Sequence, residues 1–314
     1  MVILLGRELP RGLRAEIDAI VPGARVVSEA DLDADPSLAG RVEICYAHLP
    51  SRFWGSASSL RWFQSPWAGM ERLLAIPEAR RHPAVFTNAP IHAGPVSEHL
   101  WGMLLSLVRN LPLARELQRR RRWDFDACAE GLPTLAGRTL CIAGLGEIGA
   151  RCARIGRAFG MRVVGIRRDP SPHPDADEVV GPADRKGAFA AADVVMVVLP
   201  ATDATRAFVG RAEFATMRGA VFLNAGRGST VDTDALVAAL RDGALRAAGL
   251  DVTDPEPLPR RHPLWRMPNV LITPHCAGQH AGYDERAARV FLDNLRRHAN
   301  GEPLEHVVDK EAGY

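Results

Sequence analysis

The chain has 314 residues, of which 47% are hydrophobic, and its 39 basic and 37 acidic residues give a formal net charge of +2. This composition is typical of a globular protein long enough for two domains, and a charge so close to neutral gives no overall field that would favour nucleic acid or an anionic membrane as a partner. Only Lys186 and Lys310 are lysines, which argues against a mechanism through a lysine Schiff base.

Cysteine use and the apolar runs bear on the cellular compartment. The five cysteines form no CxxC pair and leave one unpaired, which is typical of a reducing compartment. The segment 1–6 is too short for the apolar region of a signal peptide, and no apolar run approaches the ~20 residues of a membrane span. We therefore expect a cytoplasmic protein.

The first ninety residues read as a small α/β unit. Short apolar runs at 2–5, 24–27, 42–46 and 85–86 alternate with helix-compatible stretches. The spacing of Val96, Leu100, Leu104 and Val108 then places apolar side chains on one face of a long linking helix. The arginine run at 119–122 is interpreted as a solvated helix end or loop.

A second α/β series follows, and the last residues, 281–298, are again helical. Mostly apolar strands separated by helix-length segments predict a parallel sheet covered on both faces. This architecture is typical of dinucleotide-binding domains. The predicted strands are 139–143, 162–166, 193–199, 221–224, 248–251 and 270–273.

A glycine turn joins the first strand of this series to a predicted helix over 150–159. Its three glycines would allow the turn, the approach of a pyrophosphate and the packing of helix on strand, and the helix N-terminus would receive the phosphates. A glycine-rich turn without a ligand is the alternative. The residues predicted to bind the dinucleotide here are Gly144, Gly146, Glu147, Ile148 and Gly149.

The end of the second strand indicates which dinucleotide is bound. NAD-specific proteins place an acidic residue there, whereas this strand ends in Arg167 and Arg168, whose guanidinium groups can pair with the extra phosphate of NADP. We therefore expect NADP(H) to be favoured, with NAD(H) possible. A shifted strand end that brings Asp169 to the ribose, and a merely solvated arginine pair, are the alternatives.

Three further strand ends carry an arginine, a carboxylate and a histidine. If these strands lie side by side, Arg227, Glu256 and His275 converge and form a catalytic set suited to the reduction of a 2-keto acid. Arg227 would bind the substrate carboxylate, His275 would donate a proton to the carbonyl oxygen, and Glu256 would keep the imidazole charged. Taken singly, each could equally be a solvated loop residue, an exposed turn or a structural histidine.

In these motifs the sequence resembles the D-isomer-specific 2-hydroxyacid dehydrogenases over nearly its whole length. The matching segments, in the family's order, are the 144–149 turn, Leu199-Pro200, 224–228, 249–252, 254–257, 262–265, 268–270 and 273–275. The resemblance implies an α/β protein of two Rossmann-like domains. A flavodoxin-like substrate domain would span 1–93 and 281–314, and a doubly wound, parallel-sheet dinucleotide-binding domain would span 94–280. It also implies a homodimer.

The resemblance further implies site residues beyond the catalytic set. The loop of Trp67, Ala68, Gly69 and Met70 would bind the substrate carboxylate through backbone amides, together with Arg227 and His275. Asp251 would contact the nicotinamide end. The remaining residues expected to touch the cofactor are Leu199, Pro200, Thr205, Ala225, Gly226, Arg227 and His275.

Differences from particular subfamilies narrow the expected activity. Formate dehydrogenases of this family carry glutamine where this chain has Glu256. Phosphite dehydrogenases use a lysine near the substrate loop, where this chain has none. Phosphoglycerate dehydrogenases often carry an extra C-terminal domain. The chain is therefore more similar to the glyoxylate/hydroxypyruvate reductases.

We expect no metal, and we interpret Cys276 as a packing residue. The alternative function is a dinucleotide-sensing binding protein or corepressor without a physiological substrate.

Overall fold

The computed structural model describes residues 1–313, in which the chain alternates between strands and helices. The strands are β1 Val2–Leu5, β2 Arg25–Ser28, β3 Ile44–Tyr46, β4 Trp62–Gln64, β5 Val85–Thr87, β6 Thr139–Ala143, β7 Arg162–Ile166, β8 Glu178–Val180, β9 Val194–Val197, β10 Ala220–Asn224, β11 Leu245–Leu250 and β12 Val270–Ile272. The α-helices are α1 Leu13–Ile20, α2 Glu29–Ala34, α3 Glu71–Leu74, α4 Pro77–Arg81, α5 Ala93–Val108, α6 Leu111–Arg119, α7 Phe125–Ala129, α8 Glu147–Ala158, α9 Arg185–Ala190, α10 Arg211–Phe214, α11 Thr233–Arg241 and α12 Tyr283–Asn300.

The chain divides into two units, each built on its own parallel sheet. Met1–Ile91 and His280–Tyr314 form the first unit, and His92–Gln279 forms the second. The boundaries lie at 91/92 and 279/280, against the expected 93/94 and 280/281. Both units are parallel α/β structures, which confirms the fold class expected from the sequence.

The sheet of the first unit has the strand order β2-β1-β3-β4-β5. This is the order of flavodoxin-like folds. Side chains alternate between the two faces, so that Ile3 and Leu5 pack with α1 and α12 while Leu4 packs in the core on the other side. Burial of both faces explains why β1 and β3, in the middle of the sheet, are apolar throughout.

The sheet of the second unit has the order β12-β11-β10-β9-β6-β7-β8. Helices α5 and α8 contribute to the core on one face, and α9, α10 and α11 contribute to the core on the other. The chain reverses its direction of winding between β6 and β9, and in doubly wound folds ligands bind at the carboxyl ends of the strands near such a reversal. The second sheet therefore has the topology expected of a dinucleotide-binding domain.

Two strands, β4 and β8, were not predicted from the sequence. Strand β4 consists of two aromatic residues and a glutamine, and β8 is an edge strand that begins with an exposed glutamate. Neither therefore forms the kind of apolar run from which the other strands were predicted. Strand β4 matters most for function, because its end carries the segment 65–70 that was expected to bind substrate.

Other sequence expectations concern the surface and the thiols. The arginine run 119–122 lies at the exposed end of α6, as interpreted from the sequence, and all five cysteines are free. No helix within residues 1–313 combines the length and the apolar composition that a membrane crossing requires. A cytoplasmic location stays a prediction.

The aromatic cluster under α12 provides a test of the first unit's core. Phe291 is fully buried and packs on Trp62 and Tyr46, with ring centroids 5.4 Å and 4.8 Å away. Phe291→Ala should lower the free energy of unfolding by about 3–5 kcal/mol, because it leaves a cavity in a packed core. Urea unfolding followed by tryptophan fluorescence measures this change. Arg286→Ala, at an exposed position of the same helix, is the control, and equal stability of the two variants would contradict this packing.

Candidate functional site

The glycine turn after β6 shows three different uses of glycine. Gly144 has a φ of +102°, and a Cβ there would lie 2.9 Å from the carbonyl oxygen of Val198. A Cβ on Gly149 would lie 2.1 Å from the carbonyl oxygen of Gly144. A Cβ on Gly146 would meet no atom of the described chain within 4 Å. The first and third glycines are thus required by the protein's own packing, whereas the second faces open space.

The helix that follows begins at Glu147, three residues before the expected start at 150. Glu147 and Ile148 therefore belong to its first turn, where the N–H groups have no partner within the helix. Gly146 is the N-cap residue and provides no side-chain cap. Open space in front of these amides, at the positive end of the helix dipole, fits the pyrophosphate of a dinucleotide.

The arginine pair comes directly after β7. The strand ends at Ile166, and the N–H of Arg167 donates to the carbonyl of Val180. The Asp169 carboxylate accepts from the backbone N–H of Ser171 at 3.0 Å and from its hydroxyl at 2.8 Å, and these bonds lower the pKa of Asp169. Asp169 Oδ2 also lies 3.8 Å from Arg167 Nη2. The acidic group is thus engaged both by its own turn and by the first of the two guanidinium groups that follow the strand.

Glycines also bring the loops after β9, β10 and β11 into contact. A Cβ on Gly226 would lie 2.5 Å from the carbonyl oxygen of Leu199, and one on Gly228 would lie 1.9 Å from that of Thr253. Larger residues at either position would push the loops apart. The carboxyl ends of these neighbouring strands are therefore packed against one another, which is the arrangement that the sequence analysis assumed.

The loop that carries Arg227 is held by a buried asparagine at the end of β10. The Asn224 side chain accepts from the N–H of Gly226 at 3.0 Å and donates to the carbonyl of Arg227 at 3.1 Å. The hydroxyl of Thr230 donates to the same carbonyl at 2.6 Å. Arg227 is half-buried, and its Nη1 donates to the Gly226 carbonyl at 2.8 Å. Its guanidinium group is thus fixed close to the backbone of the loop.

Glu256 and His275 meet, as the sequence analysis expected. The distance between Glu256 Oε2 and His275 Nδ1 is 2.9 Å, and Glu256 Oε1 accepts from the N–H of Thr253 at 3.1 Å. Since a carboxylate only accepts hydrogen bonds, Nδ1 carries the proton of this bond. The other ring nitrogen, Nε2, then remains for chemistry, on an imidazole that is about half exposed.

Asp251 has a role that the sequence analysis missed. Its buried carboxylate accepts from the Thr273 hydroxyl at 2.6 Å and from the N–H groups of Cys276 and Ala277 at 2.9 Å and 3.0 Å. Its backbone carbonyl accepts from the N–H of His275 at 2.7 Å. Asp251 therefore holds the backbone of His275 and of the two residues after it, and it also binds the side chain of Thr273 before it. The expected contact of Asp251 with a nicotinamide stays a prediction.

The surroundings of Cys276 in the same loop determine the protonation state of its thiol. Burial and the Asp251 carboxylate raise the pKa of the Cys276 thiol, which keeps it protonated. A protonated thiol is a poor nucleophile. This property agrees with the interpretation of Cys276 as a packing residue.

The remaining expected cofactor residues lie on the loops after β9 and β10. The Thr205 hydroxyl donates to the carbonyl of Pro200 at 2.6 Å and so closes the loop that carries Leu199 and Pro200. The N–H of Ala225 donates to the carbonyl of Val197, which ties the start of the Arg227 loop to β9. Their contacts with a cofactor stay predictions.

The expected substrate loop lies in the first unit, whereas the catalytic set lies in the second. Three side chains fix its carbonyl groups: Ser65 donates to Trp67 at 2.9 Å, Asn88 to Ala68 at 2.9 Å and Tyr283 to Pro66 at 3.1 Å. Burial raises the pKa of Tyr283 to about 12, so its hydroxyl stays a donor. Within residues 1–313, the N–H groups of Ala68 and Gly69 have no hydrogen-bond acceptor. Trp67 is 45% exposed.

A buried polar network supports the start of this loop. Gln64, at the end of β4, donates to the carbonyl of Ser65 at 2.9 Å and accepts from Thr87 at 2.8 Å and Asn294 at 3.1 Å. All three polar side chains are nearly or fully buried. The sequence analysis did not find this network, although a glutamine and a threonine that end apolar strands are a usable signal for one.

Comparisons with known proteins show which family the chain is similar to. Residues 101–277 match the family model described as "D-isomer specific 2-hydroxyacid dehydrogenase, NAD binding domain". A protein of Aeropyrum pernix named "Glyoxylate reductase" is 35% identical over 234 residues, which cover 72% of this chain and 69% of that protein.

Two solved structures are similar over nearly the whole chain. A D-isomer specific 2-hydroxyacid dehydrogenase family protein from Aeromonas salmonicida is 35% identical with a TM-score of 0.82, covering 98% of this chain and 99% of that one. An NADPH-dependent glyoxylate/hydroxypyruvate reductase from Sinorhizobium meliloti, solved with NADP and sulfate, is 27% identical with a TM-score of 0.82, covering 100% of this chain and 99% of that one.

The open space at Gly146 provides a test of dinucleotide binding. Gly146→Ala should leave the stability of the protein unchanged but raise the dissociation constant for NADPH on the order of tenfold or more, because the added methyl group occupies the path of the pyrophosphate. Titration calorimetry measures the affinity, and thermal unfolding of the free protein measures the stability. Gly187→Ala, where a Cβ also meets nothing within 4 Å, is the matched control. Unchanged affinity in Gly146→Ala would contradict this site.

Proposed function

Because the chain belongs to the D-isomer-specific 2-hydroxyacid dehydrogenase family, and so is an oxidoreductase, we propose that it catalyses the NADPH-dependent reduction of a small 2-keto acid such as glyoxylate or hydroxypyruvate. The observation that carries this proposal is the 2.9 Å contact between Glu256 and His275. A histidine whose Nδ1 is paired with a carboxylate is suited to donate a proton from Nε2.

The proposed chemistry forms one C–H bond and one O–H bond. The bound dinucleotide supplies a hydride to the carbonyl carbon. His275 Nε2 gives its proton to the carbonyl oxygen as negative charge develops there, and the Glu256 carboxylate stabilises the imidazolium before the transfer. The products would be the 2-hydroxy acid, the oxidised dinucleotide and a neutral imidazole, which regains a proton from solvent. In the reverse direction the same nitrogen acts as the base.

Arg227 is proposed to bind the carboxylate of the substrate. A guanidinium group offers two parallel N–H donors to a carboxylate, and Asn224 and Thr230 fix the backbone from which this side chain extends. The loop of Trp67, Ala68 and Gly69 is proposed as a second binding element for that carboxylate. Its support is the pair of N–H groups without an acceptor within residues 1–313.

The preference for NADPH is supported by the end of β7. Arg167 and Arg168 follow the strand directly, and the Asp169 carboxylate is hydrogen-bonded to Ser171 and lies 3.8 Å from Arg167, so two guanidinium groups stand against one carboxylate at this strand end. A carboxylate placed near the ribose would repel the extra phosphate, whereas guanidinium groups attract it. The similar reductase from Sinorhizobium meliloti was solved with NADP.

A homodimer is proposed on the basis of an apolar surface in the second unit. Trp123 and Phe125 are 97% and 74% exposed, and together with Leu117 of α6 they line one surface pocket. Apolar side chains clustered at a surface in this way are typical of protein–protein interfaces. Sedimentation velocity should therefore give twice the chain mass of 34.1 kDa, and a monomer at micromolar concentration would contradict this proposal.

A panel of 2-keto acids assayed with NADPH and with NADH tests both the substrate class and the cofactor preference. We expect oxidation of NADPH with glyoxylate or hydroxypyruvate, at a kcat/KM above that for NADH. The double variant Arg167→Ala/Arg168→Ala should lose most of this preference, because the partners of the extra phosphate are gone.

The control for the double variant is Arg162→Ala, which removes an exposed arginine from the start of the same strand. A wild-type preference for NADH, or a double variant that discriminates as the wild type does, would contradict the cofactor assignment. Dinucleotide binding without turnover of any keto acid would instead indicate a dinucleotide-sensing protein.

The role of His275 is tested by His275→Ala. The variant should lose a factor on the order of 10² or more in kcat while its affinity for NADPH stays close to that of the wild type, because only the proton donor is removed. Single-turnover kinetics and calorimetry give the two values. Near-normal turnover would eliminate His275 as the proton donor.

A further inference from the structure

We propose that His99 is a positioning residue for the reaction, and that it fixes the orientation of His275 through Thr273 and Asp251. The proposal rests on the proposed function, since it takes His275 as the proton donor. Neither the sequence motifs nor the catalytic set included His99, which lies on α5, far from His275 in the sequence.

A chain of hydrogen bonds connects His99 to the end of β11. His99 Nε2 lies 2.9 Å from the Thr273 hydroxyl, and that hydroxyl lies 2.6 Å from Asp251 Oδ1. The threonine has one proton to give, and the short distance assigns it to the carboxylate. The hydroxyl oxygen must then accept from His99, so His99 Nε2 carries a proton. The direction of the whole chain is thereby fixed, from imidazole to hydroxyl to carboxylate.

The carboxylate at the end of this chain is only 2% exposed. A buried carboxylate is stable only when donors replace the water that it has lost. Here the donors are the Thr273 hydroxyl, two residues before His275, and the N–H groups of Cys276 and Ala277, the two residues after it. The groups that stabilise the buried Asp251 carboxylate therefore belong to the same loop as His275, the proposed proton donor.

His275 itself depends on this restraint. Its φ is +51°, in the left-handed region that residues other than glycine rarely adopt. Such a conformation persists where the surrounding structure holds it. The surrounding bonds are those from the N–H of His275 to the Asp251 carbonyl and from the next two N–H groups to the Asp251 carboxylate. A carboxylate that turned away would release the N–H groups of Cys276 and Ala277, the two residues that follow His275.

Helix α5 approaches the same loop at a second place. A Cβ on Gly278 would lie 2.8 Å from Cδ2 of His92, so the loop packs tightly against the residue that precedes the helix. The imidazole of His99 is 24% exposed and lies 3.6 Å from Asp251 Oδ1. The helix thus provides a rigid support from which His99 holds Thr273 and the carboxylate in place.

A metal site is the other arrangement that these side chains could form. The ligand atoms of His99, Asp251 and Cys276 lie within 4.8 Å of one another. However, Asp251 already accepts three hydrogen bonds, and the Cys276 thiol is held in its protonated form, whereas metals bind the thiolate. The contacts therefore favour the hydrogen-bond chain.

Substitution of His99 separates the two interpretations. His99→Leu removes the donor and should lower kcat for the keto acid about tenfold, which is the scale expected when a buried polar network loses one hydrogen bond. KM should change less than about threefold, because Arg227, the proposed binder of the substrate carboxylate, is on another loop. His99→Gln places an amide N–H near the position of Nε2 and should restore most of kcat. Thr273→Val breaks the same chain with little change in volume and should match His99→Leu.

The control is Glu98→Gln, at a neighbouring position of α5 whose side chain is 72% exposed, and it should behave as the wild type. Thermal unfolding of every variant identifies any general loss of stability. Should His99→Leu fail to fold, Thr273→Val and His99→Gln carry the comparison. A His99→Gln variant as slow as His99→Leu would overturn the hydrogen-bond role, since an amide can donate but is a poor metal ligand.

A double-mutant cycle with His275 tests whether His99 acts through the proton donor. In the His275→Ala background, His99→Leu should change the residual rate by less than about twofold, because the residue that it positions is gone. The same tenfold loss in both backgrounds would show that His99 acts independently of His275 and would overturn the inference. A fully active His275→Ala variant would contradict the proposed function instead.

Discussion

A carboxylate buried at the carboxyl end of a parallel sheet imposes the main constraint on this site. Asp251 has lost its contact with solvent, and it regains stabilisation only from donors that the neighbouring loop provides. The loop satisfies it with consecutive backbone N–H groups, and this arrangement forces His275 into a left-handed backbone conformation. The imidazole is thereby directed to Glu256. The geometry of His275, the proposed proton donor, thus follows from the compensation of one buried charge.

The sheet makes this arrangement possible because it gathers loops that are distant in the sequence. Strands β9, β10, β11 and β12 are neighbours in the sheet. Glycines in the loops that follow them allow the backbones to approach more closely than any larger residue would permit. Gly226 and Gly228 act in this way on either side of Arg227. A rigid, parallel scaffold with close-packed loops at one edge can hold charged groups in fixed positions, and electrostatic preorganisation of this kind requires little rearrangement during a reaction.

Much of this could be predicted from the sequence because the governing signals are local. Apolar runs identified β6, β7 and β10, and the glycine turn identified the end of α8 that is proposed to bind the phosphates. The pairing of Glu256 with His275 followed from strand order and from the chemistry that each residue type can perform. Strand β4 was not predicted because it contains no aliphatic residue, whereas the predicted three-residue strands β3, β5 and β12 each contain valine, isoleucine or leucine.

The long-range hydrogen bonds could not be predicted. His99 and Thr273 are separated by 174 positions, and nothing in either segment marks them as partners. The buried bond between Gln64 and Asn294 spans 230 positions and is equally hidden. Such contacts depend on how helices pack on the finished sheet, which a one-dimensional pattern does not contain. The sequence also failed to predict that α8 begins at Glu147, because the last residues of the glycine turn already form the first turn of the helix.

The central claim is that this protein transfers a hydride from a nicotinamide to the C2 carbon of a keto acid. It is tested most directly by turnover of hydroxypyruvate with NADPH that carries deuterium at the transferable C4 position, followed by analysis of the product by NMR and mass spectrometry. The account predicts D-glycerate with one deuterium at C2 for each NADPH oxidised. Oxidation of the labelled NADPH without deuterium at C2 of the product would contradict it.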